Sequence, residues 1–308
     1  MRRASMAEPQ LPTRCGFVAL IGAPNAGKST LLNQLVGAKV SIVSRKVQTT
    51  RTQVRGIALS GPAQIIFVDT PGIFAPKRRL DRAMVTSAWG GASDADLIGV
   101  LIDVERFDHE ENTRLLEKLA ELKQPKFLIL NKIDTVAKEK LLTITAQLNE
   151  RDKFETTFMI AALTGYGIKD ILSWLETRLK PGPWLYPEDQ ISDAPLRFLA
   201  AEITREKMFE RLHDELPYRS TVETESWQQR PDGSVRIEQT IYVERESQRK
   251  IVLGQGGQTI KAIGQKARVE IAEAAEAKVH LFLFVKVREN WSDDPERYRE
   301  MGLEFPKG

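Results

Sequence analysis

A glycine-rich stretch near the start of the chain has the residue types and spacing to bind phosphate. It follows the pattern G-x-x-x-x-G-K-[ST], and its residues are Gly22, Ala23, Pro24, Asn25, Ala26, Gly27, Lys28 and Ser29. Because glycine allows a left-handed backbone and has no Cβ, successive N–H groups can turn toward a polyphosphate at a helix N-terminus. Lys28 then reaches the outer phosphates, and Ser29 offers its hydroxyl to a bridging Mg²⁺.

The residues on either side of this loop predict the strand and the helix that position it. Residues 17–21 form an apolar run, and residues 30–35, beginning with Thr30, continue as a helix. An ordinary glycine loop is the alternative interpretation. A strand before the pattern and a helix after it are the context that a phosphate-binding loop requires, so we predict a nucleotide site.

A second pattern, D-x-P-G, follows a predicted pair of strands. Residues 54–60 and 64–69 are rich in β-formers and predict an antiparallel pair. The second strand leads into Asp69, Thr70, Pro71 and Gly72. Asp69 is then placed to assist a Mg²⁺ held by the phosphate loop, and the Gly72 N–H to contact a γ-phosphate. Alone this pattern usually marks a turn, but downstream of a phosphate loop it favours a nucleotide site.

A third pattern, N-K-x-D, follows two apolar runs. Residues 97–103 and 126–130 predict buried parallel strands. The second run leads into Asn131, Lys132 and Asp134. The Asp134 carboxylate can accept hydrogen bonds from both the N1 and the amino group of guanine, which adenine cannot donate in that arrangement. A solvated cluster at a strand end is the alternative, but the order and spacing favour a guanine site.

The last strand predicted in this half covers residues 154–162, and the loop after it is expected to complete the base pocket. The order of all these motifs resembles that of the translation-factor branch of the P-loop GTPases. The resemblance implies an α/β P-loop NTPase domain with a mostly parallel sheet and helices on both faces. That family usually has Ser-Ala where this chain has Ala161 and Ala162. A side-chain hydroxyl is therefore lost, and the backbone N–H of Ala162 is expected to face the guanine oxygen.

The same resemblance assigns roles in the polar segment of residues 40–51, which we name the switch segment. It implies that Thr50 supplies a hydroxyl to Mg²⁺ in the GTP state, with Thr49 as the alternative. Ile73 stands where Ras-like GTPases carry the glutamine that orients the attacking water, so slow intrinsic hydrolysis is expected. GTPases with an apolar residue there often use a phosphate-loop asparagine to help bind K⁺, and Asn25 matches it. The expected catalytic residues are Lys28, Thr50 and Gly72.

The second half of the chain predicts a different fold. Three prolines within residues 180–189 interrupt the alternation of strands and helices. Beyond them we predict a helix, a hairpin, a basic helix, a second helix and a strand, over residues 196–213, 221–243, 247–253, 258–275 and 279–287. The loop between the last two helices follows G-x-x-G, as Gly254, Gln255, Gly256 and Gly257. This is the plan of an α+β type II KH module.

A G-x-x-G loop alone is usually a plain turn between helices, but its surroundings favour RNA binding. Its glycines would let a sugar-phosphate backbone approach closely, with about four nucleotides clamped in the groove. Family members often have a lysine inside the loop, where this chain has Gln255 and Gly256. Basic side chains nevertheless surround it, and they are Arg249, Lys250, Lys261, Lys266 and Arg268.

Composition sets the class of protein. The 308 residues are 42% hydrophobic with a formal net charge of +3, which suits two globular domains and permits an anionic partner. A single cysteine excludes an internal disulfide framework and fits a reducing cytosol. The apolar runs are too short to span a bilayer, and residues 1–12 have no apolar signal region. We therefore expect a protein that is neither secreted nor membrane-spanning.

A P-loop GTPase followed by one KH module resembles the bacterial Era family of ribosome-assembly GTPases. Residues 44–51, 69–72, 215–218 and 279–281 carry this resemblance. It implies a monomeric GTP/GDP and Mg²⁺ switch that binds the 3′ end of 16S rRNA and acts in assembly of the 30S subunit and rRNA processing. It further implies a link to cell-cycle control and a cytoplasmic location with peripheral association with the inner membrane.

These expectations divide the chain into four parts and leave alternatives for its function. The parts are a tail (1–14), a GTPase domain (15–180), a linker (181–195) and a KH domain with a C-terminal helix (196–308). One alternative is an RNA-binding scaffold in which the nucleotide only stabilises the fold. The other is a GTPase acting in RNA modification, although no second catalytic cluster is visible.

Overall fold

The computed structural model describes residues 12–306 except 45, 47, 48, 77, 214 and 215. Most of the predicted tail therefore lies outside the described residues, as do Arg45, Val47, Gln48 and Glu215, which belong to the segments that resemble the Era family. Within the described residues, no helix is long and apolar enough to cross a membrane.

The apolar runs of the first half form a mostly parallel sheet that is buried on both faces. Its strands are β1 (Arg14–Gly22), β2 (Val54–Ser60), β3 (Ala63–Asp69), β4 (Leu97–Asp103), β5 (Lys126–Asn131) and β6 (Thr157–Ile160). They lie in the order β2-β3-β1-β4-β5-β6, with β2 antiparallel to β3 and the other neighbours parallel. This confirms the predicted antiparallel pair and the predicted parallel strands.

Helices cover both faces of this sheet. They are α1 (Lys28–Val36), α2 (Arg79–Asp94), α3 (Glu110–Leu119), α4 (Lys138–Asn149) and α5 (Ile168–Arg178). One hydrophobic cluster lies between the sheet and α1 with α5, and a second lies between the sheet and α2, α3 and α4. Because parallel strands end at the same edge, the loops after β1, β3, β5 and β6 meet there.

Two elements differ from the sequence analysis. Strand β6 is shorter than the predicted 154–162, because the chain turns at Ala161, whose N–H donates to the carbonyl of Tyr166 at 3.2 Å. Helix α2 was not predicted, since Gly90 and Gly91 weaken its helical pattern. In the structure a Cβ at Gly91 would lie 2.8 Å from Nε2 of Gln53, so the helix approaches that side chain closely.

The second half has the element order of a type II KH fold. Its elements are α6 (Leu196–Arg211), β7 (Ser220–Gln229), β8 (Val235–Val243), α7 (Glu246–Leu253), α8 (Gln258–Ala274), β9 (Val279–Val287) and α9 (Pro295–Glu300). Strand β8 lies between an antiparallel β7 and a parallel β9. Apolar side chains of α6, α7 and α8 pack on one face of this sheet.

The C-terminal helix begins later than its sequence indicates. Ser292 was expected to cap it, but the N-cap is Asp294, whose side chain accepts from the N–H of Glu296 at 3.0 Å. Pro295 occupies the first helical turn, where its fixed φ is compatible with a helix and its missing N–H costs nothing. The prediction of Ser292 as the cap was therefore wrong.

The chain between the two sheets runs along β2 and β3. Residue 57 of β2 donates its N–H to the carbonyl of Ile191 at 2.9 Å, and Trp184 Nε1 donates to the carbonyl of Pro62 at 3.0 Å. The Gln64 side-chain oxygen accepts from the N–H groups of Leu185 and Tyr186 at 2.8 and 3.0 Å. These bonds hold the segment against the first sheet.

Candidate functional site

The phosphate-loop pattern forms the turn between β1 and α1. Helix α1 begins at Lys28, and Gly27 before it has φ +103°, a left-handed conformation that favours glycine. The Lys28 ammonium is buried and donates to the carbonyls of Gly22 and Ala23, both at 2.9 Å. Burial lowers the pKa of Lys28 to about 8, against the charges of Asp69 and Glu111. A bound polyphosphate would favour its charged form.

Oxygen atoms from three parts of the chain converge beside Lys28. The Asp69 oxygen Oδ2 accepts from the hydroxyls of Ser29 and Ser41 at 2.8 and 2.9 Å. The Thr50 hydroxyl lies 2.9 Å from that of Ser29 and 3.4 Å from Asp69. Asp69 is fully buried, and its Oδ1 has no hydrogen-bond partner among the described residues.

This cluster fits a magnesium ion. Hydroxyl and carboxylate oxygens are ligands that Mg²⁺ prefers. Buried carboxylate oxygens usually have a partner, so this oxygen is available to a cation or to a hydrogen-bond donor. Burial raises the pKa of Asp69, against the charge of Lys28 and the hydroxyl hydrogen bonds. Of the two candidate threonines, the structure brings Thr50 to the cluster, whereas the Thr49 hydroxyl donates to the carbonyl of Lys46 at 2.8 Å. Ser41 was not predicted to belong to this cluster.

The D-x-P-G turn packs directly against the phosphate loop. A Cβ added to Gly72 would lie 3.0 Å from Cα of Pro24, so the two loops are close neighbours. The N–H of Ile73 donates to the carbonyl of Gly22 at 3.2 Å, and the Thr70 hydroxyl donates to the carbonyl of Leu20 at 2.9 Å. The side chain of Ile73 is buried in the hydrophobic core, where it cannot orient a water molecule.

Asn131 joins the base pocket to the phosphate loop. Its amide nitrogen donates to the carbonyl of Ala26 at 2.8 Å, and its amide oxygen accepts from the N–H of Ala162 at 3.0 Å. A Cβ at Gly27 would lie 2.3 Å from the Asn131 amide nitrogen, so glycine is required there. In this structure the Ala162 N–H, which was expected to face a guanine oxygen, donates to Asn131.

The other residues of the N-K-x-D pattern lie in the turn after β5. Lys132 has φ +64°, and its ammonium pairs with the carboxylate of Asp103 at the end of β4. Asp134 follows in a short 3₁₀ turn and is exposed, so its carboxylate is accessible to a base. The neighbouring strand ends β4 and β5 thus hold this turn in place.

The switch segment contacts the second domain as well as the magnesium cluster. Directly after Thr50, the buried Arg51 guanidinium donates to the carbonyls of Pro217, Tyr218 and Ser220 at 3.1, 3.3 and 2.9 Å. Arg205 of α6 donates in return to the carbonyl of Thr49 at 2.5 Å. A displacement of Thr50 must therefore strain contacts with the second domain.

The start of the switch segment is held by a charge network on α6 and α8. Lys39, just before the segment, pairs with Glu206 and with Glu270, both at 2.6 Å. The Glu206 carboxylate also accepts from the N–H of Val43 at 2.7 Å and from the ammonium of Lys207 at 2.8 Å. Because Glu206 and Lys207 are buried, removing one partner would leave an uncompensated charge.

The G-x-x-G loop connects α7 to α8 with a backbone that favours glycine. Gly254, Gly256 and Gly257 have φ of +72°, +58° and +78°. No atom lies within 4 Å of a Cβ built at Gly256 or Gly257, so both face open space. The predicted basic residues Lys250, Lys261 and Arg268 are exposed. Lys250 and Lys261 lie about one helical turn from the loop, whereas Arg268 lies about three turns along α8. Arg249 is half-buried and donates to the carbonyl of Val285 at 3.2 Å.

Lys266 is the predicted RNA contact that the structure separates from the others. Its ammonium pairs with Glu210 of α6 at 3.2 Å. Gly264, two positions earlier and so about 200° around the helix, faces Leu283 of β9. The side of α8 toward β9 is therefore opposite to Lys266. Lys266 was predicted to contact RNA together with Lys261. Nearness in sequence does not show which face of the helix each side chain occupies.

Each half of the chain matches a family model, and the chain as a whole is similar to known proteins. Residues 17–132 match the model described as a 50S ribosome-binding GTPase, and residues 215–292 match that of a KH domain. The GTPase Era of Mesorhizobium japonicum is 68% identical over 294 residues, which cover 96% of this chain and 95% of that protein. The GTPase Era of Rhizobium meliloti is 68% identical over 297 residues with the same coverage. The chain belongs to the Era family.

Two solved Era structures match this member of the family with a TM-score of 0.89. Each is 36% identical and covers 94% of this chain and 99% of its own. One is a variant of Aquifex aeolicus Era bound to GDP and AlF4⁻. The other is an Era in complex with MgGDPNP and nucleotides 1506–1542 of 16S ribosomal RNA.

Exposed apolar residues on α7 and β9 of this Era-family chain were not singled out from the sequence. Ile251 on α7 is 58% exposed, and Phe282 and Phe284 on β9 are 42% and 48% exposed. The alternation of these phenylalanines with the more buried Leu281 and Leu283 was the available signal, since alternate residues of a strand face opposite sides. That alternation predicted the strand, but not which of its side chains are exposed.

The two lysines of α8 give a first prediction. We expect Lys261→Ala to weaken binding of single-stranded RNA and to reduce the salt slope by about one unit or less, because the lysine neutralises a phosphate. Lys266→Ala is the matched control, and we expect a smaller effect since its ammonium faces Glu210. Filter binding across a salt series measures both. Equal losses would place Lys266 in the RNA groove after all.

Proposed function

We propose that this chain binds GTP with Mg²⁺, hydrolyses it slowly and binds 16S rRNA through its KH domain during assembly of the 30S subunit. The observation that carries the proposal is the switch segment, in which Thr50 joins the magnesium cluster while Thr49 and Arg51 hold the KH domain. The complex of a related Era with MgGDPNP and 16S rRNA nucleotides supports the same pairing of ligands.

The nucleotide site divides its work among the motifs. We assign phosphate contacts to the loop of residues 22–30 and to Gly72, and base selection to Asp134. Ser29 and Thr50 would hold Mg²⁺ directly, and Asp69 through water. The ion neutralises phosphate charge when bound. Lys28 keeps a positive charge beside the outer phosphates, and the N–H of Ile73 keeps the D-x-P-G turn against the loop. Asn131 fixes the position of the base site relative to the phosphate loop through its hydrogen bonds to Ala26 and Ala162.

Coupling between nucleotide and RNA is the direct test of this function. We expect the RNA affinity of the full chain to differ about tenfold between GDP and a non-hydrolysable GTP analogue, within the usual range of coupling free energies. In Arg51→Gln the ratio should fall toward one, because the link between Thr50 and the KH domain is lost. Arg55→Gln, which removes a charge that pairs with Asp193 instead, is the control. Equal affinities in the unaltered chain would favour a constitutive scaffold.

Potassium is a further proposed cofactor. Asn25 in the phosphate loop has φ +62°, a conformation that glycine also adopts readily. We expect GTP turnover to be at least about tenfold faster in K⁺ than in Na⁺, because a positioned cation stabilises charge developing in the transition state. Asn25→Gly preserves the backbone conformation and removes the side-chain oxygen, so it should abolish most of the difference. Equal turnover in both buffers would count against this role.

We also propose domain limits and a cellular location for this chain. We propose a GTPase domain at 15–180, a linker at 181–195 and a KH domain at 196–308. We place the protein in the cytoplasm as a monomer that binds the 30S subunit and associates peripherally with the inner membrane. Fractionation of cells that express the tagged chain would test the location, and co-sedimentation with 30S subunits would test the partner.

A further inference from the structure

A cavity of about 240 Å³ lies where the switch segment, the start of α2 and the KH domain meet. It is lined by arginines from all three parts, and these are Arg51, Arg78, Arg79 and Arg219. Neither the phosphate loop nor the G-x-x-G loop contributes to its lining. The cavity is therefore distinct from both sites described above.

Three carboxylates also line this cavity, and each is bonded to the protein. Asp81 accepts from the N–H of Arg78 at 2.9 Å at the start of α2. Glu244 pairs with Arg219 at 2.9 Å, and Asp293 pairs with Arg79 at 3.3 Å. Four arginines against three carboxylates give the described lining a net charge of +1. The start of a helix of 16 residues adds further positive potential.

Arg51 contributes a charge that is poorly compensated. It is 5% exposed and donates to main-chain carbonyls, and its guanidinium lies 5.6 Å from the ring centre of Trp291. Carbonyl oxygens satisfy its N–H groups without neutralising its charge. A buried charge without a counter-ion is unfavourable, and an anion in the cavity would supply one.

We propose that this cavity binds a phosphoryl group and thereby fastens the switch segment and α2 to the KH domain. Guanidinium groups match phosphate oxygens through paired N–H donors, and a helix N-terminus favours the same anions. The cavity is smaller than the roughly 300 Å³ at which sites for drug-sized ligands begin. It would therefore take one phosphoryl group, which either a free phosphate compound or an RNA backbone can supply.

The test uses the full chain saturated with a non-hydrolysable GTP analogue and Mg²⁺, so that the nucleotide site is filled up to its γ-phosphate position. Inorganic phosphate is titrated against chloride at equal ionic strength, and binding is followed by calorimetry. We expect saturable binding of phosphate that weakens about tenfold or more in Arg219→Gln, as loss of a charged hydrogen bond predicts. Arg79→Gln provides a second variant. Arg82→Gln removes an exposed charge from the same helix outside the cavity and should bind normally.

A repeat titration with single-stranded RNA bound identifies the source of the group. Displacement of phosphate by RNA would assign the cavity to an RNA phosphate, and undiminished binding would assign it to a free phosphate compound. The proposal is overturned if phosphate binds no better than chloride. It is also overturned if both Arg219→Gln and Arg79→Gln bind phosphate as tightly as the unaltered chain does. Circular dichroism would show that both variants are folded.

Discussion

Asp134→Asn is expected to lower GTP affinity by a factor of about 10² to 10⁴. The carboxylate accepts two hydrogen bonds from guanine, and each bond to a charged group contributes about 1.5–3 kcal/mol. An asparagine amide would instead donate to the carbonyl that xanthine carries at that position. Affinity for xanthosine triphosphate should therefore rise while affinity for GTP falls. Competition with a fluorescent nucleotide analogue measures both constants.

Controls for this substitution must separate recognition from folding. Asp170→Asn removes the same charge from an exposed position at the start of α5 and should leave both affinities unchanged. Asn131→Ala would be a poor choice, because it breaks the bonds to Ala26 and Ala162 together. A variant of Asp134 that retained its preference for GTP would remove this residue from base recognition.

Gly257→Asp is expected to abolish binding of single-stranded RNA, with at least about a hundredfold loss, while GTP affinity stays intact. A KH loop lets the RNA backbone approach closely, and a carboxylate there adds bulk and a charge that repels phosphate. A Cβ at Gly257 meets no atom of the protein within 4 Å, so the change acts on the ligand rather than on packing. Fluorescence anisotropy with labelled RNA measures the loss.

The matched control for Gly257→Asp is Gly233→Asp in the β7–β8 turn. Gly233 has the same φ of +78° and the same open surroundings, so both variants carry equal backbone strain and equal charge. We expect Gly233→Asp to bind RNA like the unaltered chain. If Gly257→Asp also binds normally, the second half is a protein-interaction domain rather than an RNA-binding one. If both variants lose binding, charge or strain anywhere in the domain is responsible.

Local patterns were enough to predict the phosphate loop and the antiparallel and parallel strands of the first sheet. The phosphate loop, for example, depends on residues adjacent in the chain, and both the strand before it and the helix after it are present. The choice between Thr49 and Thr50 could not be made in the same way. It depends on which hydroxyl lies beside that of Ser29. The path of the switch segment along α6 of the KH domain determines this.

Contacts between residues that are distant in the chain were not predicted from the sequence. The Ala162 N–H has its partner in Asn131, 31 positions away, and Lys266 has its partner in Glu210, 56 positions away. The arginine cavity is another such case, since its lining runs from Arg51 to Asp293. No local periodicity predicts such contacts, because they form only when distant parts of the chain fold together.

The segment that joins the two sheets also protects an edge. Strand β2 ends the sheet, and an uncovered edge strand offers unpaired N–H and C=O groups to other chains. Ile191 and Ser192 occupy that edge through the N–H of Ile57 and the carbonyl of Arg55. A GTPase domain truncated at Lys180 would therefore keep its nucleotide motifs but expose the edge of β2. We expect such a fragment to self-associate through the unpaired backbone groups of that strand.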